Sequence, residues 1–296
     1  MVDGYTNIWA YRAKWLYLFI VVGALMTPVF YVIYISFNEH GFGARMYEFT
    51  FDWYAVVLGD IMLVSSLKWT AYLAVASVAT AVPMGLVAAL YFKKTRRKVL
   101  FVTLMLLPLF VPADIMASSL LVYFKQLNGI FQSLSEALGV DWFSTWFELG
   151  FTTALIGQIL YTVPYAFIVI LITMSRYREQ QTEAARGCGA SAWQAFWQVE
   201  FPQIRVGIFS ACAFVAILSF NEAPRTAMLK GGFDTFSNVL VAQMLNVGMS
   251  EESYAMAGTM SIVSIVVIGS ILIYTMANAG RLERKSRAIA EPEMSA

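Results

Sequence analysis

Few residues in this chain are equipped for chemistry. There is one histidine, His40, and there are two cysteines, Cys188 and Cys212. His40 has no Cys, His or Glu partner at a metal-ligand spacing, and the cysteines give neither a disulfide framework nor a ligand pair, so both read as inert small residues. The G-x-x-x-x-G-K-[ST] phosphate cradle and the H-E-x-x-H zinc helix are both missing. No buried nucleophile and base stand together. The expectation is a protein that is not an enzyme and holds no metal or cofactor of its own. If nucleotide energy is used, another subunit must bind the nucleotide. The net charge of +1 gives no sign of a nucleic-acid partner, and none is expected.

Two acids remain that are placed where a charge is expensive. Asp114 lies inside the apolar run "LPLFVPADIMASS", and Glu222 closes another, "LSFNEAP", beside Asn221. A charge at bilayer depth costs ~2.5 to 3.5 kcal/mol on insertion scales, so such residues face a polar cavity or a partner. Both are candidates for lining a path through the membrane; a structural ion pair or a helix-terminus role is the alternative.

The elements that must position these residues follow from composition. Of 296 residues, 59% are hydrophobic and 13% charged, more apolar than a soluble domain of this length can hide. A bilayer core of ~30 Å needs about 20 apolar helical residues. Six such runs occur, at about 15–37, 69–92, 99–124, 151–174, 206–222 and 256–279, the fifth short for a span. The expected fold is an all-α polytopic membrane protein with six transmembrane helices: an N-terminal tail of 1–14, a membrane domain of 15–280 and a C-terminal tail of 281–296. The first run is a full span without a cleavage site and reads as a retained helix.

Fifteen of the twenty Lys and Arg fall on one side of these runs, including Arg12, Lys14, the cluster at 93–98, Arg176, Arg178, Arg186, Arg205 and Arg281. Basic residues near span ends stay cytoplasmic, so both termini are expected there. Five prolines lie inside the runs (Pro28, Pro83, Pro108, Pro112 and Pro164), a pattern suited to a bundle around a cavity. Two outer segments carry interfacial patterns. Residues 129–148 place Ile130, Phe131, Leu134, Leu138, Trp142 and Trp146 near helical spacing, and 49–60 offer Trp53 and Tyr54 as headgroup anchors.

The longest inner loop, about 175–204, contains "EAARGCGASAWQAFWQVEFP". "TEAARG" can form a short helix, Gly187 and Gly189 permit a sharp turn, and "ASAWQAFWQV" can form a second helix capped at Ser191. Pro202 is expected to end that helix. Trp193, Phe196 and Trp197 then share a stripe, an aromatic knob suited to a groove on another protein.

This stretch resembles the signature of permease subunits of ATP-binding-cassette importers: E-A-A, three residues, G, nine residues, then I-x-L-P. Glu183, Ala184, Ala185, Gly189, Phe201 and Pro202 stand at the matching positions, with Val199 for Ile and Phe201 for Leu. With "ISFNE", "LPLFVPADIMASSLLVYF" and "LSFNEAPRTAML", the chain is similar to the second permease of the spermidine/putrescine branch.

The resemblance implies the type I importer permease fold, in the inner membrane of a bacterium. It implies that Glu183, Ala184, Ala185, Gly189, Ala190, Ser191, Trp193, Phe196, Phe201 and Pro202 form coupling helices seated in an ATPase that binds ATP and magnesium. Partners would be that ATPase, a second, homologous permease, an external solute-binding protein and the bilayer. The mechanism would be alternating access. The solute would be polyamine-like, with Asp114, Tyr123, Tyr161, Asn221 and Glu222 along its path. Members of the branch often carry two acids near the fifth-span site, where this chain has Asn221 and Glu222 followed by Arg225, which keeps phosphonate, another amine or ferric iron open. An ion-coupled secondary carrier and a polytopic membrane enzyme are the rivals from other classes.

Overall fold

The computed structural model describes residues 8–40, 43, 46–175 and 179–290. Arg176 and Arg178, the first residues of the expected N-terminal tail and the last of the C-terminal tail lie outside the described residues. The described chain is helical: α1 (Ile8–Ile35), α2 (Asp52–Gly59), α3 (Ile61–Lys94), α4 (Lys98–Leu106), α5 (Ala113–Leu138), α6 (Phe151–Met174), α7 (Glu179–Gly187), α8 (Ala192–Ala195), α9 (Phe201–Phe220), α10 (Pro224–Leu229), α11 (Phe236–Asn246) and α12 (Glu251–Ala290).

Among the described residues, four helices are long and apolar enough to cross a membrane, and a fifth span arises if the bent pair α4 and α5 counts as one. The expected third span, 99–124, is not one helix. The chain bends by 94° between Lys98–Phe110 and Ala113–Leu138. Pro108 and Pro112 explain the break, since neither donates a backbone hydrogen bond and the residue before a proline is pushed out of the α region. Val111 is accordingly extended at φ −88 and ψ 124. Pro28, Pro83 and Pro164 instead sit inside continuous helices. The second run starts earlier than expected, at Ile61, and the sixth is part of the longer helix α12.

The fifth run is also longer than the sequence indicated, because Ala192–Phe220 forms one helical span. Pro202 does not end it. A π turn at Phe196–Glu200 widens the helix, the Phe201 N–H donates to the Phe196 carbonyl five residues back, and Pro202 falls in the first turn of α9, where its missing N–H costs little.

Packing divides the chain into two units, Met1–Ile61 with Ala242–Val263 and Met62–Val241 with Ser264–Ala296. In the first unit, the Ser36 hydroxyl and the Tyr54 hydroxyl are 2.6 Å apart, and Tyr54 stacks on Phe37 with centroids at 4.7 Å. Gly258 of α12 lies against both, and a Cβ there would sit 2.5 Å from either hydroxyl oxygen. Tyr54 is thus a packing residue as much as an anchor. Almost all of the apolar surface of α1 from Tyr11 to Tyr34 is exposed, as expected of a helix that meets lipid or another membrane chain.

The second unit is built on α3, α6 and α9. Ala81, Val82 and Ala89, then Val163, Phe167, Ile170 and Met174, then Ile204, Ala211 and Val215 form its main core. Small residues bring the backbones together, since lipid gives no hydrophobic drive for helix pairing. A Cβ on Gly85 would stand 2.7 Å from Ala166 Cβ and 2.9 Å from the Phe167 nitrogen. A second cluster joins Leu73, Phe124, Ala154, Leu229 and Phe233, which seats α10 on α5 and α6.

The outer segment 129–148 is not a separate surface helix. Its first half continues α5 to Leu138, where Gly139 at φ 63 closes the helix, and Asp141 to Glu148 form turns. Phe143, Trp146 and Phe147 fold back onto Phe131 with centroids 4.9 to 6.4 Å apart.

Candidate functional site

Two regions gather the residues singled out by sequence. The first is a helical hairpin formed by α7 and the α8 to α9 helix. Its turn runs through Gly189 at φ +91, a backbone region where a side chain is strained. Ser191 then caps α8 with a capping box: its Oγ accepts from the Gln194 N–H at 3.2 Å while the Gln194 side chain accepts from the Ser191 N–H at 2.9 Å. Glu183, Ala184, Gly189 and Ser191 are exposed, and Ala185 and Ala190 half-buried.

The aromatic stripe splits. Trp193 is 70% exposed and Trp197 43%, with their rings 5.4 Å apart, whereas Phe196 turns inward onto the main core. Trp197 continues onto Phe201 at 4.7 Å, carrying the aromatic surface onto α9. Exposed tryptophans of this kind are enriched among the residues that anchor protein interfaces. The helix that carries them runs on to Phe220 as one membrane-length span.

The second region lies at the other end of α9. Glu222 and Arg225 are 7% and 4% exposed and form an ion pair of 2.9 Å. Glu222 Oε1 also accepts the Arg225 backbone N–H at 3.1 Å, which starts α10, and the guanidinium lies 4.2 Å from the centre of the Tyr161 ring. Glu222 and Tyr161 are therefore brought together, but through Arg225. Asn221 is exposed at the end of α9, where its amide donates to the Ile217 carbonyl. The Arg225 Nε is buried without a hydrogen-bond partner.

Asp114 stands exposed in the first turn of α5, just past the break, where the helix dipole favours an acid. Tyr123 is exposed on the same helix. Nine residues at about 100° each put the two on opposite faces, so they cannot line one narrow path together.

Sequence reasoning missed the polar hub beside this region. Gln158, fully buried on α6, accepts from Ser77 of α3 at 2.8 Å and from Ser219 of α9, and donates to Thr226 of α10 at 3.1 Å. Thr153 donates to the Leu229 carbonyl at 2.8 Å. The available signal was a lone amide in the middle of an apolar run. Spacing also gave no sign of the partners of His40: an isolated bridge between Asn38 and Phe49 brings Glu48 to 3.3 Å from it, with Glu39 close by, all three exposed.

Membrane-length helices and a helical hairpin carrying two exposed tryptophans define a polytopic membrane protein. Residues 81–284 match the family model described as the inner membrane component of binding-protein-dependent transport systems, and the chain belongs to that family. It is a permease of a binding-protein-dependent importer. It is 24% identical to the spermidine/putrescine transport system permease protein PotC of Escherichia coli K12, over 85% of this chain and 92% of that one. It is equally 24% identical to the sulfate transport system permease protein CysW of a Synechocystis strain, over 85% and 87%. Among solved structures, a bacterial alginate ABC transporter in complex with a pentasaccharide-bound periplasmic protein superposes with a TM-score of 0.63 at 18% identity, covering 93% of this chain and 95% of that one.

Proposed function

We propose that this chain forms one half of the translocation pathway of an importer in a bacterial inner membrane, with both termini in the cytoplasm. A second, homologous permease completes the pathway, a pair of ATPase subunits binds ATP and magnesium, and an external binding protein delivers the solute. ATP-driven closure of the ATPases pushes on α7 and α8, α9 carries the displacement into the membrane, and the pathway alternates between outward and inward access. The observation that carries this reading is the exposed Trp193 and Trp197 pair on a capped helix continuous with α9.

The solute is a small polar molecule, and the PotC relatives favour a polyamine-like one. One observation supports a different solute: Glu222, the acid best placed for a cation, is occupied by Arg225. An anion-bearing solute is the second reading, and CysW is a relative named for one.

Tagged chain purified from its native membrane, as wild type, Glu183→Ala and Trp193→Ala, tests the proposal. An ATPase and a second permease should accompany the wild type, and the variants should lose the ATPase or its stimulated hydrolysis. A chain that purifies alone refutes the assembly. Competition for uptake between spermidine and sulfate then separates the two solute readings.

A further inference from the structure

The hairpin is joined to the bundle by a contact that the importer signature does not include. Lys93, in the last turn of α3, places its Nζ 2.8 Å from Glu200 Oε1 and 3.9 Å from Glu179 Oε1. Glu200 ends the π turn between α8 and α9, and Glu179 begins α7. One ammonium therefore touches α3 and both limbs of the hairpin. Lys93 and Glu200 are only 18% and 13% exposed, so solvent and salt screen the pair weakly, and the C-terminal end of α3 favours the positive charge.

Apolar packing holds α7 only lightly. No residue of that helix is fully buried, and a pocket of about 380 Å³ is lined by Thr182 and Glu183 of α7, by Leu90, Lys93 and Lys94 of α3, and by Phe196. Thr182 Oγ1 is buried in this seat without a hydrogen-bond partner. A further side-chain tie to α7 is the exposed Gln203 amide, which donates to Gln181 at 2.6 Å. A loosely filled seat with a directional charge contact at its centre can move as a lever without tearing a core.

We propose that Lys93 is a positioning residue for the transport cycle: it carries displacement of the α7 and α8 hairpin into α3, so that α3 and α9 move together. This rests on the importer function proposed above. Loss of the link uncouples hydrolysis from solute delivery while leaving the tryptophan surface in place for docking.

The test uses the purified complex in proteoliposomes, reading the stimulation of ATP hydrolysis by solute-loaded binding protein together with the amount of ATPase retained. Lys93→Met should keep the ATPase yet lose stimulation about fivefold or more, the low end of typical coupling between sites. The conservative Lys93→Arg, which keeps the positive charge toward both Glu200 and Glu179, should retain it. Wild-type stimulation in Lys93→Met overturns the proposal. Loss of the ATPase from Lys93→Met, or a Lys93→Arg variant as defective as Lys93→Met, makes the contact one of docking or folding and overturns it equally. A wild-type chain that carries no ATPase removes the importer reading and this one together, whereas normal stimulation in Lys93→Met removes this one alone.

Discussion

Replacing Glu222 by Gln leaves the shape of the site but strands a buried charge. Arg225 is 4% exposed and would lose its carboxylate partner at 2.9 Å. Breaking a buried pair from one side costs about 3 to 5 kcal/mol. The lower end applies here, because the Gln oxygen still accepts the Arg225 N–H and the Tyr161 face, 4.2 Å away, remains. At roughly 2 to 4 °C per kcal/mol for a chain of comparable size, a loss of ~3 kcal/mol lowers the unfolding midpoint by about 6 to 12 °C. Removing both charges, as Glu222→Gln with Arg225→Met, should return the midpoint to within a few degrees of wild type. The assay is the fraction of monodisperse protein in detergent after heating, followed by size exclusion. If Glu222→Gln alone is as stable as wild type, the pair does not hold α10 and the reasoning fails. If the double variant is stable and still transports, Glu222 is no solute ligand.

Three other substitutions separate packing from polar pinning. Gly85→Ala would drive a Cβ to 2.7 Å from Ala166 and 2.9 Å from backbone, which cannot retreat, so overpacking of about 1 to 3 kcal/mol should lower the melting midpoint. Gly23→Ala on α1, with nothing within 4 Å, should leave it unchanged or raised, and equal behaviour of the two would contradict the close α3 to α6 contact. Gln158→Leu removes the acceptor of Ser77 and Ser219 and the donor to Thr226, for a loss of about 1 to 2 kcal/mol that shows as a midpoint lowered by a few degrees; no change would mean the hub contributes nothing.

The parts of this molecule that were legible in sequence are those with a periodic or compositional cause. Long apolar runs gave α1, α3 and α6, and Ser191 marked the cap of α8, while the return bond from Gln194 came only with the fold. Proline was ambiguous because its effect depends on where the helix starts: Pro112 broke the third run, while Pro202 was absorbed by a π turn that no local pattern announces. The partners of charges were hidden for a different reason. Lys93 and Glu200 lie more than a hundred positions apart, and nothing local announces that Arg225, past the end of an apolar run, folds inward onto Tyr161. Likewise, spacing placed Trp193, Phe196 and Trp197 on one stripe, but only the fold shows Phe196 serving the core and the two tryptophans exposed.

The central claim is that the two exposed tryptophans are where ATP-derived force enters the membrane helices. The most direct measurement is hydrolysis by the co-purified complex in proteoliposomes, with and without solute-loaded binding protein, comparing wild type with Trp193→Ala combined with Trp197→Ala. The account predicts hydrolysis that rises with loaded binding protein in the wild type and loses that response, or the ATPase itself, in the double variant. A double variant that retains both the ATPase and full stimulation would contradict it.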